Sequence, residues 1–456
     1  MALLCAALAG CTHQPGGDTP AIVRELPDSF IARPARDGAI DERWWEEFGD
    51  ARLAGLIEQA VRNNPTVEQA AGRLRQARAV ARLARADRLP GLTASLEGTD
   101  RSSGKALDVA DSVDAAVTVS WEIDLWGRLG NEHAATRKDY LAGIADLQAT
   151  RQLVAAETAR TYFAVIEAQS QVELSQRVLA SYDELVRQLS LRVDAGVTPR
   201  SLGALLESDR QSARAGLAAR QEDYTRLIRR LEILTGGYPE GSLRPAEVLP
   251  ELAPSPPIGI PAGLVSRRPD VRAAQLGLEA SGYRVAAARG AFLPQIVLTG
   301  STGSSAERFA GLFASGFGLW SIGGMLIQPI FDGGRLAARL EQRKGERDEA
   351  IGRFAEVALQ AMFETETALA ADRDLAAREA AYLGSAQEAE QAVDIFTLRY
   401  QAGVDSFFNV LEVQQRALNA RSAWLATRRE RLANRIDLHL ALGGGFSGMP
   451  GASGPT

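Results

Sequence analysis

The chain repeats one plan twice, and this feature constrains its fold more than any other. Pro90 and Pro294 end similar segments and lie 204 residues apart, and further matches recur at a spacing of 207 residues. Such a period is too long for a solenoid, so we predict two copies of one unit, over residues 46–250 and 251–445. The matches at 207 residues are Gly127-Arg128-Leu129 with Gly334-Arg335-Leu336, Ala195-Gly196-Val197 with Ala402-Gly403-Val404, and Gly236-Gly237 with Gly443-Gly444.

Each copy has room for very long helices. Proline is absent from Gly91 to Thr198 and from Ile330 to Met449, and an internal proline is what most often breaks a helix. A helix from Leu129 to Val193, about 65 residues, would measure roughly 100 Å. The apolar positions recur at spacings of three, four and seven, which is typical of coiled-coil packing. They are Leu174, Val178, Tyr182, Leu185 and Leu189, and then Val404, Leu411, Leu418, Leu425 and Leu432.

The windows after Pro90 and Pro294 change from a helical period to strict alternation. Apolar and polar residues alternate over 92–97 and 117–125, and more weakly over 296–301 and 319–330. We therefore predict two strands within about 91–125 and two within about 295–331, each with one apolar face. Segments rich in Gly and Ser, Arg101–Gly104 and Gly303–Ser305, are predicted as hairpin loops.

Four strands of about ten residues are long enough to cross an outer membrane. Four strands cannot close on themselves, and an open sheet edge is not tolerated in lipid. We therefore expect several chains to share their strands, and three chains would supply twelve.

The N-terminus has the pattern of a bacterial lipoprotein signal. Residues 1–10 are apolar and small, they end in Leu-Ala-Gly before Cys11, and a polar, Pro- and Gly-rich run follows. We predict a signal peptide over 1–10, lipid attachment to Cys11, a lipid-anchored segment over 11–45 and a flexible tail over 446–456.

Composition argues against several other classes of protein. The net charge of −6 gives no basic face for nucleic acid. The chain has three His, and both Cys lie in the first eleven residues, so no metal-ligand cluster is expected. No catalytic motif is present: GxSxG, P-loop and HExxH are all missing. We expect no enzyme and no cofactor other than the lipid.

A set of motifs in order resembles the outer membrane factor family, the TolC-like exit ducts of tripartite efflux systems, in its lipoprotein branch. The motifs are Trp44–Asp50, Asn64-Pro65, Trp121–Arg128, Arg267–Val271, Phe292–Pro294, Pro329–Arg335 and the two Ala-Gly-Val turns. The resemblance implies an α+β membrane protein: a homotrimer whose twelve-stranded β-barrel in the outer membrane continues into a long α-helical barrel in the periplasm.

The resemblance implies a passive outer membrane duct, anchored in outer membrane lipid, for a resistance-nodulation-division pump. Its partners would be a periplasmic adaptor protein and an inner-membrane pump. One alternative is the same duct in type I secretion or heavy-metal export. A more distant alternative is a periplasmic coiled-coil scaffold lipoprotein, which requires the four alternating windows to be exposed loops.

The resemblance also places functional residues. It puts a gate at the periplasmic tip, at Asp405 with Arg399, Tyr400 and Phe407 beside it; the alternative for Asp405 is a helix N-cap. The turns expected to contact the adaptor contain Asp194, Ala195, Gly196, Val197, Ala402, Gly403 and Val404. The residues expected to line the barrel lumen are Glu97, Thr118, Ser120, Glu122 and Asp124, and Trp121, Trp126 and Trp320 are expected to form interfacial girdles.

Overall fold

A computed structural model describes residues 27, 29–32, 43–99, 112–256, 261, 263, 267–306, 312 and 318–444. The predicted signal peptide, Cys11, most of the anchored segment 11–45, the loop Arg101–Gly104 and the tail 446–456 lie outside the described residues.

The first half of the chain begins with a short 3₁₀ helix and then alternates helices with a pair of strands. Its elements are the 3₁₀ helix Trp44–Phe48, α1 (Ala51–Asn63), α2 (Pro65–Ala86), β1 (Gly91–Thr99), β2 (Ser112–Ile123), α3 (Arg128–Asp194) and α4 (Arg200–Leu234).

The second half repeats the order of helix, two strands and two long helices. Its elements are α5 (Pro269–Gly290), β3 (Gln295–Ala306), β4 (Gly318–Ile327), α6 (Arg335–Gln401) and α7 (Phe407–Ala441). The long helices α3 and α6 have 67 residues each, and α4 and α7 have 35 each. The predicted fold class, with long helices, four strands and two structural repeats, is confirmed.

The four strands form one antiparallel sheet in the order β1-β2-β3-β4, so each half of the chain contributes two neighbouring strands. The seam between the halves is the β2–β3 pair, whose register extends from Val113 opposite Ala306 to Ile123 opposite Ile296. Within the described residues, β1 pairs only with β2 and β4 only with β3. Both edges of the sheet therefore present unpaired backbone groups.

The hairpin loop predicted at Gly303–Ser305 is wrong, because these residues belong to β3. A Cβ at Gly303 would lie 2.5 Å from the carbonyl oxygen of Ala115 on β2. Glycine at this position lets the two central strands approach closely, although its propensity alone favours a loop.

All four long helices end in the same way. Gly196, Gly236, Gly403 and Gly443 take φ values of 73°, 78°, 73° and 77° just beyond the helix ends. At the end of α6, the Val404 N–H donates to the Arg399 carbonyl at 2.9 Å and the Gly403 N–H to the Tyr400 carbonyl at 3.0 Å. This is a Schellman motif, which satisfies the last carbonyls of the helix and needs a residue that tolerates positive φ.

The chain divides into two compact units. One unit contains the described parts of 72–145 and 272–357, and with them the sheet. The other contains the described parts of 26–71, 146–271 and 358–456, and with them the two turns that join the long helices.

An aromatic core stabilises the second unit. The Phe48 and Phe163 rings lie 5.0 Å apart, and the Trp44 ring stacks on His439 at 5.6 Å. The Tyr162 hydroxyl donates to Asp50, which caps α1, and accepts the Ala246 N–H at 3.1 Å. Burial raises the pKa of Tyr162, and the hydrogen bond to Asp50 raises it further, so this hydroxyl stays protonated.

Within the part of the chain that the structure describes, no helix has a stretch long and apolar enough to cross a membrane.

Candidate functional site at the helical turns and the sheet

The two turns between the long helices have the same backbone geometry but different chemistry. The Val197 N–H donates to the Arg192 carbonyl at 2.9 Å, as Val404 does to Arg399. At equivalent positions, however, the first turn has Thr198 and the second has Asp405. Only the second turn therefore places an acid six residues after the repeated arginine.

The Asp405 carboxylate is bound within its own chain. One oxygen accepts from Arg399 Nε, and the other accepts from Asn409 Nδ2 at 3.3 Å. The Asp405 side chain is 14% exposed and that of Arg399 is 54% exposed. The alternative role of Asp405 as a helix N-cap is wrong, because the N-cap of α7 is Ser406, whose side chain accepts the Phe408 N–H at 3.2 Å.

Tyr400 and Phe407, predicted as neighbours of the gate, lie in an apolar cluster. Their rings meet edge to face at 5.8 Å, and both side chains are buried. The Arg192 guanidinium lies 4.8 Å from the centroid of the Tyr400 ring, so the first turn is joined to the second by a cation–π contact. The rest of the cluster comprises Tyr182, Leu185, Leu189, Leu206 and Val410. The buried rings of Tyr400 and Phe407 therefore stabilise the second turn.

Both turns expose the same pair of apolar side chains. Leu191 and Val197 are 62% and 76% exposed at the first turn, and Leu398 and Val404 are 67% and 66% exposed at the second. Among the other residues predicted for adaptor contact, Asp194, Ala195, Gly196, Ala402 and Gly403 are all exposed. Leu191 and Leu398 were not among the predicted contact residues, although their 207-residue spacing could have identified them.

Across β1, β2 and β3 the sheet has one mainly polar and one mainly apolar face, and β4 adds the exposed apolar side chains of Leu319, Met325 and Ile327 to the polar face. Thr118 lies opposite Thr93 and Ser301, and the register places Glu97, Ser120 and Glu122 on this same face. The other face has exposed apolar side chains: Leu92, Leu96, Val117, Val119, Trp121, Leu298, Trp320, Ile322 and Leu326. A sheet with one face suited to water and the other to lipid is the pattern of a membrane-spanning wall.

Two of the predicted lumen residues have local partners at the start of α3. Asp124 follows β2 and accepts the backbone N–H groups of Leu129 at 3.0 Å and Gly130 at 2.6 Å. Glu122 forms a bidentate contact with Arg128, with both oxygens 2.7 Å from Nη2. Both acids thus hold the junction between strand and helix.

The tryptophans predicted as girdles take two kinds of position. Trp121 lies on β2, and its Nε1 donates to the Arg88 carbonyl at 3.0 Å. Trp126 lies in the turn after β2 and donates to the Pro294 carbonyl at 2.7 Å. Trp320 on β4 is 77% exposed. No group of three or more His, Cys, Asp or Glu able to hold a metal occurs among the described residues, and Cys11 lies outside them.

Phe408 was not among the residues predicted from the sequence. It directly follows the buried Phe407, yet 54% of it is exposed beside the second turn. The first turn has Ser201 at the equivalent position. The second turn therefore differs from the first by both an acid and an exposed aromatic ring.

Comparison with known proteins identifies relatives over nearly the whole chain. This chain is 31% identical to the outer membrane protein OprJ of Pseudomonas aeruginosa, over 97% of this chain and 95% of that protein. It is 28% identical to the toluene efflux pump outer membrane protein TtgC of Pseudomonas putida, over 96% of this chain and 93% of that protein.

Among solved structures, the open state of the MtrE outer membrane channel of Neisseria gonorrhoeae is similar, with a TM-score of 0.86 and 28% identity. The similarity covers 95% of this chain and 98% of that chain. The family model described as outer membrane efflux protein matches residues 56–237 and 261–444, one stretch in each half. This chain therefore belongs to the outer membrane efflux protein family.

Proposed function

We propose that the protein is the outer membrane exit duct of a tripartite efflux system of the resistance-nodulation-division type. It would conduct drugs or other small molecules passively from a pump and adaptor through the periplasm and the outer membrane. The observation that carries the proposal is the amphipathic four-stranded sheet with two open edges, in a chain of this family. The energy for transport would come from the inner-membrane pump.

A homotrimer explains the open edges. Because the four strands alternate in direction, β4 of one copy meets β1 of the next in an antiparallel orientation, which lets copies join edge to edge. Two copies would give about eight strands, and side chains would fill the interior of so small a barrel. Three copies would give about twelve strands and leave a lumen. In that arrangement Glu97, Thr118, Ser120 and Glu122 face the lumen.

The exposed apolar pairs at the two turns support docking of a periplasmic adaptor. Leu191 with Val197, and Leu398 with Val404, give two similar apolar contacts on one chain. An adaptor's helical hairpin could bury both, since apolar side chains exposed to this extent gain most from being covered. The turn residues Asp194–Val197 and Ala402–Val404 would form this surface.

We further propose that Asp405 is the gate residue. In a trimer the second turns of three chains bring three Asp405–Arg399 pairs to one end of the duct. A ring of three carboxylates would repel anions and bind cations, and the links from Arg399 to Asp405 would hold the constriction shut until the adaptor separates them. Because each pair joins the two sides of one turn, breaking it releases the turn.

Single-channel conductance in planar bilayers tests the duct and the gate together. We expect a low conductance for the unaltered protein and a clear increase for Asp405→Ala. Thr198→Ala, at the equivalent position of the first turn, serves as the matched control and should leave conductance unchanged. A protein that inserts but conducts equally in all three forms contradicts the gate, and one that never forms a pore contradicts the duct.

The alternatives have less support. The relatives' names include a toluene efflux pump, which favours small-molecule cargo over secreted protein. The chain contains four Met and three His, a poor supply of ligands for a heavy-metal exporter. The scaffold alternative requires the four alternating windows to be loops, and they are strands.

The N-terminal sequence supports lipid attachment to Cys11, which would anchor the chain in the outer membrane. Metabolic labelling with radioactive palmitate should mark the unaltered chain and not Cys11→Ser. Label on both forms would contradict this attachment site.

A further inference from the structure

Five exposed arginines lie where the helices of the sheet-containing unit meet the sheet. Arg85 and Arg88 lie at or just beyond the end of α2, Arg289 near the end of α5, and Arg335 and Arg339 in the first turns of α6. We refer to these five residues as the arginine belt. The strand register brings the helix-proximal ends of all four strands to the same end of the sheet, so the belt borders that end.

The belt arginines differ from several charged side chains of the same unit in having no ion pair among the described residues. Within the described residues none of the five forms an ion pair, whereas Arg128 pairs with Glu122, Lys138 with Glu279 and Arg284 with Asp139. Unpaired cations in one region raise the local positive potential, in a chain whose net charge is −6.

The pKa of His133 on α3 responds to this positive potential. Burial lowers the pKa of His133, and the charges of Arg88, Arg137 and Arg85 lower it further. The positive charges from α2 and α3 are therefore close enough in space to act on one group.

Exposed apolar side chains accompany the belt in the connecting segments. Leu89 is 60% exposed, Phe292 39%, Ile330 90% and Phe331 91%. They lie in the segments that connect helices to strands, at the same end of the sheet as the belt. Large apolar side chains beside cationic ones, at the end of a membrane wall, match the boundary between acyl chains and headgroups.

Two tryptophans form hydrogen bonds where the helices meet the sheet. Trp121 and Trp126 donate from their indole nitrogens to the carbonyls of Arg88 and Pro294, at 3.0 and 2.7 Å. The backbone beside Arg88 is therefore tied to β2, and its side chain projects from a fixed point at the sheet end. Such indole contacts are common where one side of the ring is apolar and the other is polar.

We propose that the arginine belt binds the phosphate groups of anionic glycerophospholipids in the periplasmic leaflet of the outer membrane. This inference rests on the proposed function, since the sheet must lie in that membrane. A guanidinium can donate two parallel hydrogen bonds to a phosphate, and each basic residue near an anionic surface contributes a roughly fivefold gain in binding. Leu89, Phe292, Ile330 and Phe331 enter the adjoining acyl region.

Quenching of tryptophan fluorescence by brominated lipids tests the proposal on the full chain reconstituted in vesicles. Brominated phosphatidylglycerol and brominated phosphatidylcholine quench tryptophans at the protein surface in proportion to their binding. The test variant carries Arg85→Gln, Arg88→Gln and Arg335→Gln. The matched control carries Arg177→Gln, Arg214→Gln and Arg220→Gln, three exposed arginines of the other unit with no ion pair among the described residues.

We expect the unaltered protein and the control to prefer phosphatidylglycerol by about fivefold or more, and the test variant, which retains Arg289 and Arg339, to prefer it clearly less. High salt should weaken the preference. Equal quenching by the two lipids in the unaltered protein, or an unchanged preference in the test variant, overturns the inference while the proposed function stands.

Three further outcomes would overturn it in other ways. Unchanged lipid preference with altered ion selectivity would assign the belt to the lumen, and loss of the oligomer in the test variant would assign it to a contact between chains. Absence of quenching by either lipid would contradict membrane insertion itself, and the inference would fall with the proposed function.

Discussion

The Glu232 carboxylate, near the end of α4, binds the backbone of the segment that follows this helix. It is buried and accepts the backbone N–H groups of Gly241, Ser242 and Leu243, at 2.7, 2.7 and 3.1 Å. Burial alone would raise the pKa of Glu232, but the three hydrogen bonds outweigh it and place the pKa below its ordinary value of 4.5. The charged form is therefore favoured in the folded chain.

Because the pKa of Glu232 is lower in the folded than in the unfolded state, its contribution is complete above about pH 4.5 and is lost as pH falls through the folded pKa. Glu232→Gln should cost about 1–3 kcal/mol at neutral pH. The variant should also show a weaker fall of melting temperature in acid. Thermal melts followed by circular dichroism at pH 7 and pH 4 check both effects, and an unchanged pH dependence would contradict the assignment.

Gly236 and Gly403 form a matched pair for testing the helix ends. Both have positive φ, but a Cβ at Gly236 would lie 2.7 Å from the Asn63 carbonyl oxygen, while one at Gly403 meets nothing within 4 Å. Gly403→Ala should cost about 1 kcal/mol for the backbone conformation alone. Gly236→Ala should lower the melting temperature clearly more, because α1 and α4 must move apart. Equal effects would contradict the close contact.

Single residues mark the limit of what the sequence could predict for the candidate site. The 207-residue spacing predicted both turns, and the Gly positions are confirmed as helix ends. The sequence did not distinguish Asp405 from Ser406 as the N-cap, because both residue types cap helices. It also did not predict that Phe407 is buried and Phe408 exposed, since that depends on how α7 packs against its neighbours.

At the scale of elements, α3 and α6 are each preceded by a capping aspartate, and the repeat does not make the two positions equivalent. Asp124 accepts from Leu129 and Gly130, and Asp332 accepts from Gly334 and Leu336. Asp124→Ala and Asp332→Ala should each cost about 1 kcal/mol and fray the first turn of the helix, whereas Asn should retain most of the cap. Hydrogen exchange at the two helix starts measures this. Altered ion selectivity without fraying would instead make Asp124 chiefly a lumen residue.

The apolar cluster that contains Tyr400 and Phe407 at the second turn gives another prediction at the scale of elements. Phe407 is buried, so Phe407→Ala should cost about 3–5 kcal/mol and increase hydrogen exchange at the ends of α6 and α7. Phe408→Ala, at its exposed neighbour, should change stability by less than about 1 kcal/mol. Similar exchange in the two variants would contradict the packing at this turn.

The sequence predicted helices and strands correctly where one physical cause, such as the absence of proline or strict alternation, determines the local structure. Absence of proline and regular apolar spacing predicted long helices in both halves, and the one helix predicted with bounds, 129–193, matches α3 to within one residue at each end. Alternation predicted the strands. The error at Gly303 arose because a cross-strand contact requires glycine there, and local propensity contains no information about the opposite strand. The pairing of β2 with β3 is likewise a long-range fact that alternation does not determine.

At the scale of the whole molecule, the proposed assembly rests on the two open edges of the sheet. The edge strands β1 and β4 each have one row of backbone groups without partners within the described residues. In lipid, unpaired backbone groups cost several kcal/mol each, so the edges must meet other strands. In the proposed trimer, closure by three copies would give every edge strand a partner and would create the lumen that the proposed function requires.

Cysteine cross-linking between edge strands tests this closure most directly. Ser95→Cys on β1 would be combined in turn with Leu319→Cys, Ser321→Cys or Gly323→Cys on β4, all of which lie on the polar face of the sheet. The parent chain without the added cysteines is the control. Oxidation in outer membranes should give covalent dimers and trimers, and nothing larger, for at least one pair. A ladder extending beyond trimers, or monomers alone for every pair, would contradict a duct closed by three chains.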